Sequence, residues 1–97
     1  MEPLLKLDLA CGQHPREGYT GVDLCADEAP IKLDLLKFPW PWDDASVDAL
    51  HCSHFLEHIP MVEIEGQDAL FRFMDETWRI LKPQGEFTIV YTLERTL

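Results

Sequence analysis

Residues 7–24 read LDLACGQHPREGYTGVDL, and the reading of this stretch decides the fold. The run from Leu4 to Leu9 is apolar except for Lys6 and Asp8, is bounded by Pro3 and Gly12, and predicts a strand. Tyr19 to Leu24 predicts a second strand, entered through Gly18 and carrying an acid, Asp23, at its end. Only nine residues separate Leu9 from Tyr19, fewer than the roughly dozen that a parallel crossover with its helix needs. The crossover is therefore expected to be a loop.

Moving outward, Ile31 to Leu35 predicts a third strand. Phe38-Pro39-Trp40-Pro41-Trp42 is expected as an ordered aromatic loop, because its prolines remove donors and fix the backbone. Trp40 and Trp42 are expected to cover the core rather than to grip a substrate. Val47 to Cys52 predicts a fourth strand, buried through Val47, Ala49, Leu50 and Cys52. From Gln67 to Leu81 the spacing predicts a helix with Leu70, Phe71, Met74, Trp78 and Leu81 on one face. Arg72, Asp75, Glu76 and Arg79 would lie largely on the other. Pro83 is expected to stop that helix, Gly85 to turn the chain, and Glu86 to Leu93 (EFTIVYTL) to form a fifth strand. Short strands with a helix before the last predict an α/β layer on a mostly parallel sheet.

The 97 residues suit one small domain, taken as 1–97, with 46% hydrophobic and 27% charged residues. The formal charge of −10 would repel a phosphate backbone and disfavours nucleic acid as a partner. No apolar run approaches the ~18 residues of a membrane span, and no signal-peptide pattern opens the chain, so a cytoplasmic location without membrane association is expected. Cys11, Cys25 and Cys52 lack CxxC spacing and read as reduced thiols.

The glycine turn Ala10-Cys11-Gly12-Gln13-His14-Pro15 does not match a dinucleotide fingerprint, since Asp23 follows Gly12 by only eleven positions, against about 20 in that motif. No helix start is available to cradle a pyrophosphate, so the turn suits a ligand with a ribose and no phosphate.

Taken in order, LDLACG, GYTGVDL, DALHCSHFLEHIP and WRILKPQGEFTIV resemble class I S-adenosylmethionine-dependent methyltransferases, nearest the type 11-like subgroup with a shortened first crossover. The resemblance runs from Leu5 to Val90. It implies a Rossmann-like three-layer sandwich with about five strands in the order 3-2-1-4-5. It also implies that the family's C-terminal two strands lie beyond this chain. Asp8, Ala10, Cys11 and Gly12 match the first motif, whose backbone passes the methionine part of the cofactor S-adenosyl-L-methionine; a Cβ at position 12 would obstruct that approach. Asp23, with Leu24 beside it, matches the acid that accepts from both ribose hydroxyls. Asp34 and Leu35 match the loop that reads the adenine. Ser53, His54 and Phe55 match the turn bordering the reacting end. Asp8 satisfying local backbone donors, Asp23 as an ordinary strand-end turn residue and Asp34 forming a turn are the competing structural readings. The Gly-Gly pair usual before the fifth strand is here Gln84-Gly85.

His54-Phe55-Leu56-Glu57-His58 also fits H-x-x-E-H, in which two histidines on one helical face chelate zinc. Pro60 and the absence of an obvious third ligand argue against a metal centre there. A Glu57–His58 metal pair is a middle reading. The resemblance implies methyl transfer to a small-molecule or protein acceptor, with His54 or His58 as the base if the acceptor must lose a proton. The alternatives are a catalytically inactive domain that binds cofactor or a partner, and a metal hydrolase built on His54, Glu57 and His58. An exposed fifth strand would be an association hazard, and a homodimer through that edge or the C-terminal segment is expected.

Overall fold

The computed structural model describes residues 4–90. In chain order the elements are β1 (Lys6–Leu9), β2 (Thr20–Asp23), β3 (Ile31–Lys32), β4 (Val47–Ser53), a 3₁₀ turn (Leu56–His58), β5 (Glu63–Ile64), β6 (Gln67–Asp68), α1 (Ala69–Ile80) and β7 (Leu81–Val90). Five of the strands form one sheet in the order β3-β2-β1-β4-β7, every pairing parallel. This is the α/β, Rossmann-like order expected from the sequence, with β7 in the place of the fifth strand.

Side chains alternate across a strand, and the sheet uses both sides. Leu7, Leu9, Leu50 and Cys52 join Phe73 and Ile80 of α1 and Trp40 in the core. Asp8 and His51 pack on the opposite side, where the residue 10–19 loop lies. That loop contains no helix, as its length required. The Cys11 N–H donates to the Val22 carbonyl at 3.2 Å, which holds the loop to β2.

β3 is shorter than the expected Ile31–Leu35. The Leu33 N–H still reaches the Asp23 carbonyl, but Asp34 then accepts from the Leu36 N–H at 3.0 Å and closes a turn. α1 starts two residues later than expected. Gln67 and Asp68 pair with Ile64 and Glu63 in a small hairpin turned by Glu65 and Gly66, both at positive φ. Asp68 then caps the helix by accepting from the Leu70 N–H. Pro83 does not end the helix. Leu81 is already extended, with ψ 134°, and pairs with Val47, after which the ladder is irregular until Ala49 meets Glu86. Pro83 sits in that irregular stretch, where no ladder donor is required of it. Residues 91–93 of the expected fifth strand, and the C-terminal segment expected in dimer exchange, lie outside the described residues.

The expected helix face is corrected. Ala69, Phe73, Glu76, Thr77 and Ile80 are the buried residues of α1, whereas Leu70, Phe71 and Trp78 are 36, 63 and 82% exposed. Hydrophobicity pointed to the wrong stripe because a glutamate is buried. Glu76 receives both Arg79 and Arg72 and also accepts from the Trp40 N–H. The loop between Pro39 and Pro41 has no strand neighbour for that donor, and the Glu76 carboxylate takes the neighbour's place. Trp40 is 2% exposed and meets Phe73 edge to face at 5.4 Å, so it covers the core as expected.

Candidate functional site

The carboxyl ends of β1, β2 and β4 converge on the glycine turn, the position where open parallel sheets present ligands. Ala10 (φ 56°) and Gly12 (φ 65°) are both left-handed and turn the chain sharply out of β1. A Cβ at Gly12 would meet no atom of the protein within 4 Å, so the glycine answers to its backbone conformation and leaves the space beside it open.

Asp23 ties this turn together. One of its oxygens accepts from the Gly12 N–H at 3.0 Å, and the other from Cys25 and Ala26 at 3.0 and 3.2 Å. Burial alone would raise its pKa, but these donors from Cys25, Gly12 and Ala26, with the Lys32 ammonium, hold it below the ordinary carboxylate value. Lys32 is itself held in place by the carbonyls of Ala26, Asp27 and Ala29. A carboxylate offers about four lone-pair sites, so three bonds leave room for one further donor. Engaging two hydroxyls at once would require a backbone donor to give way.

Asp8 is 4% exposed and does what its structural reading required. One oxygen accepts from the Arg16 N–H at 2.8 Å, and the other meets Nδ1 of the buried His51 at 3.1 Å. This fixes the far end of the loop and sets the His51 ring beneath it.

Two cavities open on either side of Ala10. The first, about 180 Å³, is mainly apolar, lined by Leu24, Leu33, Leu35, Leu36 and Phe55, with Asp23 and Asp34 at its border. The second, about 490 Å³, is polar: Asp8, Cys11, Gly12, Ser53 and His54 line it, together with His14, Arg16 and His51. Asp8, Ala10, Cys11, Gly12, Asp23, Leu24, Asp34, Leu35, Ser53 and His54 thus each line one or other of two cavities that share Ala10. Asp34 both closes its turn and lines the cavity, so the two readings of that residue are compatible.

His58 is not brought there. It is exposed and lies in the 3₁₀ turn, and it lines neither cavity. The H-x-x-E-H reading needs an α-helix carrying both histidines, and the segment supplies three 3₁₀ residues after a left-handed His54 (φ 56°). Glu57 approaches His54 Nδ1 at 3.7 Å. Among the described residues, no group of three or more His, Cys, Asp and Glu is gathered to hold a metal ion.

Cys11 and Cys52 are poor nucleophiles. Burial, then the charges of Asp8 and Asp23, raise the Cys11 pKa, and burial with Asp8 and Glu57 pushes Cys52 up to about 12. Cys11 contributes shape rather than thiolate chemistry.

His14, Arg16, His51, Leu33 and Leu36 escaped the sequence reading. Gly21 escaped it too, although a glycine inside a strand signals close backbone approach. A Cβ there would sit 2.7 Å from Cys11 Sγ and 2.9 Å from the Pro15 ring, so this glycine lets the loop lie flat on β2. Gly21→Ala is expected to cost about 2 kcal/mol by overpacking, measured by urea unfolding. Adding Cys11→Ala should return part of that loss, since it relieves only one of the two contacts.

Compared with protein families, the chain matches the model described as "Methyltransferase domain" over residues 7–89. Comparison with curated proteins and with solved structures finds no match.

Proposed function

The chain belongs to the class I methyltransferase-domain family, and from that premise we propose that it binds S-adenosyl-L-methionine and transfers the methyl group to a small-molecule or protein acceptor. The observation that carries this reading is the pair of unlike cavities joined at Ala10. A mainly apolar lobe that also carries the Asp23 and Asp34 carboxylates suits an adenosine, and a lobe lined by Arg16 and three histidines suits an amino-acid end. The bare backbone at Gly12 lines the second of them, and nothing in the fold fills the space a Cβ would take there.

When bound, the cofactor supplies a methyl group already activated on a sulfonium. The task left to the protein is alignment and exclusion of water. Asp23 would hold a ribose hydroxyl with its remaining lone pair. Leu35, Leu33 and Phe55 would flank the adenine, and Asp34 its edge. Ser53 and His54 border the end where an acceptor enters. His54 borders the second cavity, where a ring nitrogen could take the acceptor's proton, whereas His58 lines neither cavity. Free Cys11, Cys25 and Cys52 support a reducing, cytoplasmic setting, and no helix among the described residues is long and apolar enough to cross a membrane.

Titration calorimetry with S-adenosylmethionine and S-adenosylhomocysteine tests the reading. Stoichiometric binding of both is expected, at micromolar Kd. Heat from neither ligand would overturn the reading, and stoichiometric zinc uptake in their place would return the hydrolase alternative. A screen of acceptors with a labelled methyl group then separates an enzyme from a domain that only binds cofactor.

A further inference from the structure

Residues 24–30 join β2 to β3 without a helix, so the second crossover, like the first, is a bare turn. Side chains nevertheless hold its backbone from both sides. The Cys25 and Ala26 N–H groups donate to Asp23, and the carbonyls of Ala26, Asp27 and Ala29 accept from the Lys32 ammonium. Asp23 and Lys32 are register partners on β2 and β3. An anion and a cation, side by side, thus take the N–H and C=O groups of one turn, with the polarity that stabilises the two ends of a helix. We propose that Lys32 is a positioning residue for the apolar lobe: it fixes the turn that holds the Asp23 carboxylate in place for a ribose hydroxyl, a role that rests on the cofactor reading above.

An ammonium has three N–H donors, and each of those on Lys32 finds an acceptor in this turn: Ala29 at 2.6 Å, Asp27 at 3.2 Å, and Ala26. Arg72, Arg79 and Lys82 are paired with carboxylates, whereas among the described residues Lys32 forms no ion pair and serves backbone carbonyls alone. Ala26 and Ala29 are buried, where a carbonyl needs a protein donor. Ala26 is the pivot, since its N–H goes to Asp23 and its carbonyl to Lys32. Lys32 itself lines neither cavity. It acts through Asp23 and Leu24, which do line the apolar one. Lys32→Met keeps the aliphatic stem and removes the charge and its donors. The turn is then held only at its N–H end, and the Asp23 carboxylate loses its fixed orientation.

Titration calorimetry with S-adenosylhomocysteine on wild type, Lys32→Met and Lys32→Ala tests this. Lys32 is exposed, so both variants should keep their fold, as far-ultraviolet circular dichroism will verify. Each should bind about tenfold more weakly, the scale of losing a charge-assisted hydrogen bond. Propylammonium, which supplies the atoms that alanine lacks, should restore the affinity of Lys32→Ala, and tetramethylammonium, which has no N–H donor, should not. Wild-type affinity in Lys32→Met would overturn the proposal, as would a Lys32→Ala deficit that propylammonium leaves unchanged. Amide hydrogen exchange without ligand separates this role from the cofactor reading. Gly12, Cys25 and Ala26, which donate to Asp23, should exchange faster in Lys32→Met, and equal rates would overturn the positioning role. If wild type binds no adenosyl ligand, the cofactor reading falls, and the exchange rates alone decide whether Lys32 holds the turn.

Discussion

Glu76→Ala is expected to destabilise the protein by about 3–5 kcal/mol, the cost of removing one partner from a buried ion pair. A domain of this size has only about 5–10 kcal/mol to lose, so the variant should be largely unfolded at moderately raised temperature. The reason is how many groups depend on one carboxylate. Arg79 donates to it through Nε and Nη2 at 3.0 and 2.8 Å, Arg72 through Nη1 at 3.2 Å, and Trp40 through its backbone N–H. Alanine would strand the Trp40 donor in the core and leave two guanidiniums without their shared acceptor. The Trp40 loop should then detach, exposing an indole that packs on Phe73.

The same group sets an acid limit. Burial alone would raise the Glu76 pKa, but the bonds from Arg79, Trp40 and Arg72 prevail and lower it to about 2. Because the folded value is depressed, the stabilisation is fully present above the unfolded value near 4.5. It is lost as pH falls from there toward 2, on the order of 3 kcal/mol in all. Asp23, also depressed, adds to the loss over the acid range. Denaturant unfolding between pH 2 and 7 should therefore show a steep acid decline. Glu76→Gln should be less stable at neutral pH and much flatter below pH 4.5. A wild-type profile that stayed level to pH 3 would show that the Glu76 cluster does not carry this weight.

Asp23→Ala is expected to reduce S-adenosylhomocysteine affinity about 100-fold, close to 3 kcal/mol at 1.4 kcal/mol per factor of ten. Part of that is the lost ribose contact, and part is the turn itself. Without the carboxylate, the N–H groups of Gly12, Cys25 and Ala26 lose their shared acceptor, and the glycine turn loses its tie to the end of β2. Asp23→Asn is the sharper probe. Both oxygens of Asp23 accept from backbone donors, and an amide must turn its own donors toward one of them. The asparagine variant should therefore bind nearly as poorly as alanine, although it can still reach a hydroxyl. Full affinity in Asp23→Asn would mean that the turn tolerates the amide and that only the ligand contact matters. Calorimetry well below each variant's melting temperature separates binding from unfolding.

Much of the fold was legible because it rests on local, chain-ordered signals. Short apolar runs located β1, β2 and β4, the first of them bounded by Pro3 and Gly12, and the nine-residue gap before Tyr19 excluded a helix by length alone. The order of four short segments then pointed to the family and to the residues around the glycine turn. What misled was the helix. Hydrophobicity ranks Trp78 above Glu76, yet Trp78 is exposed and Glu76 is 1% exposed. The choice between two candidate stripes depended on Arg72, Arg79 and a backbone donor from residue 40, and no window centred on the helix contains that last group.

The site divides the same way. The sequence by itself determined a parallel α/β sheet, a helix-free first crossover, and an acid at the end of β2 beside a glycine turn, because each follows from spacing and backbone preference along neighbouring residues. Only the tertiary structure decided that Asp23 spends three bonds on its own turn, that His51 supports Asp8, that His58 stands apart from His54, and which face of α1 is buried. Several of those outcomes depend on donors and acceptors that are distant in the chain, as Trp40 and Glu76 are at a separation of 36 and Asp8 and His51 at 43. A charge or hydrogen bond is buried only where its partner arrives, and the fold sets where that is.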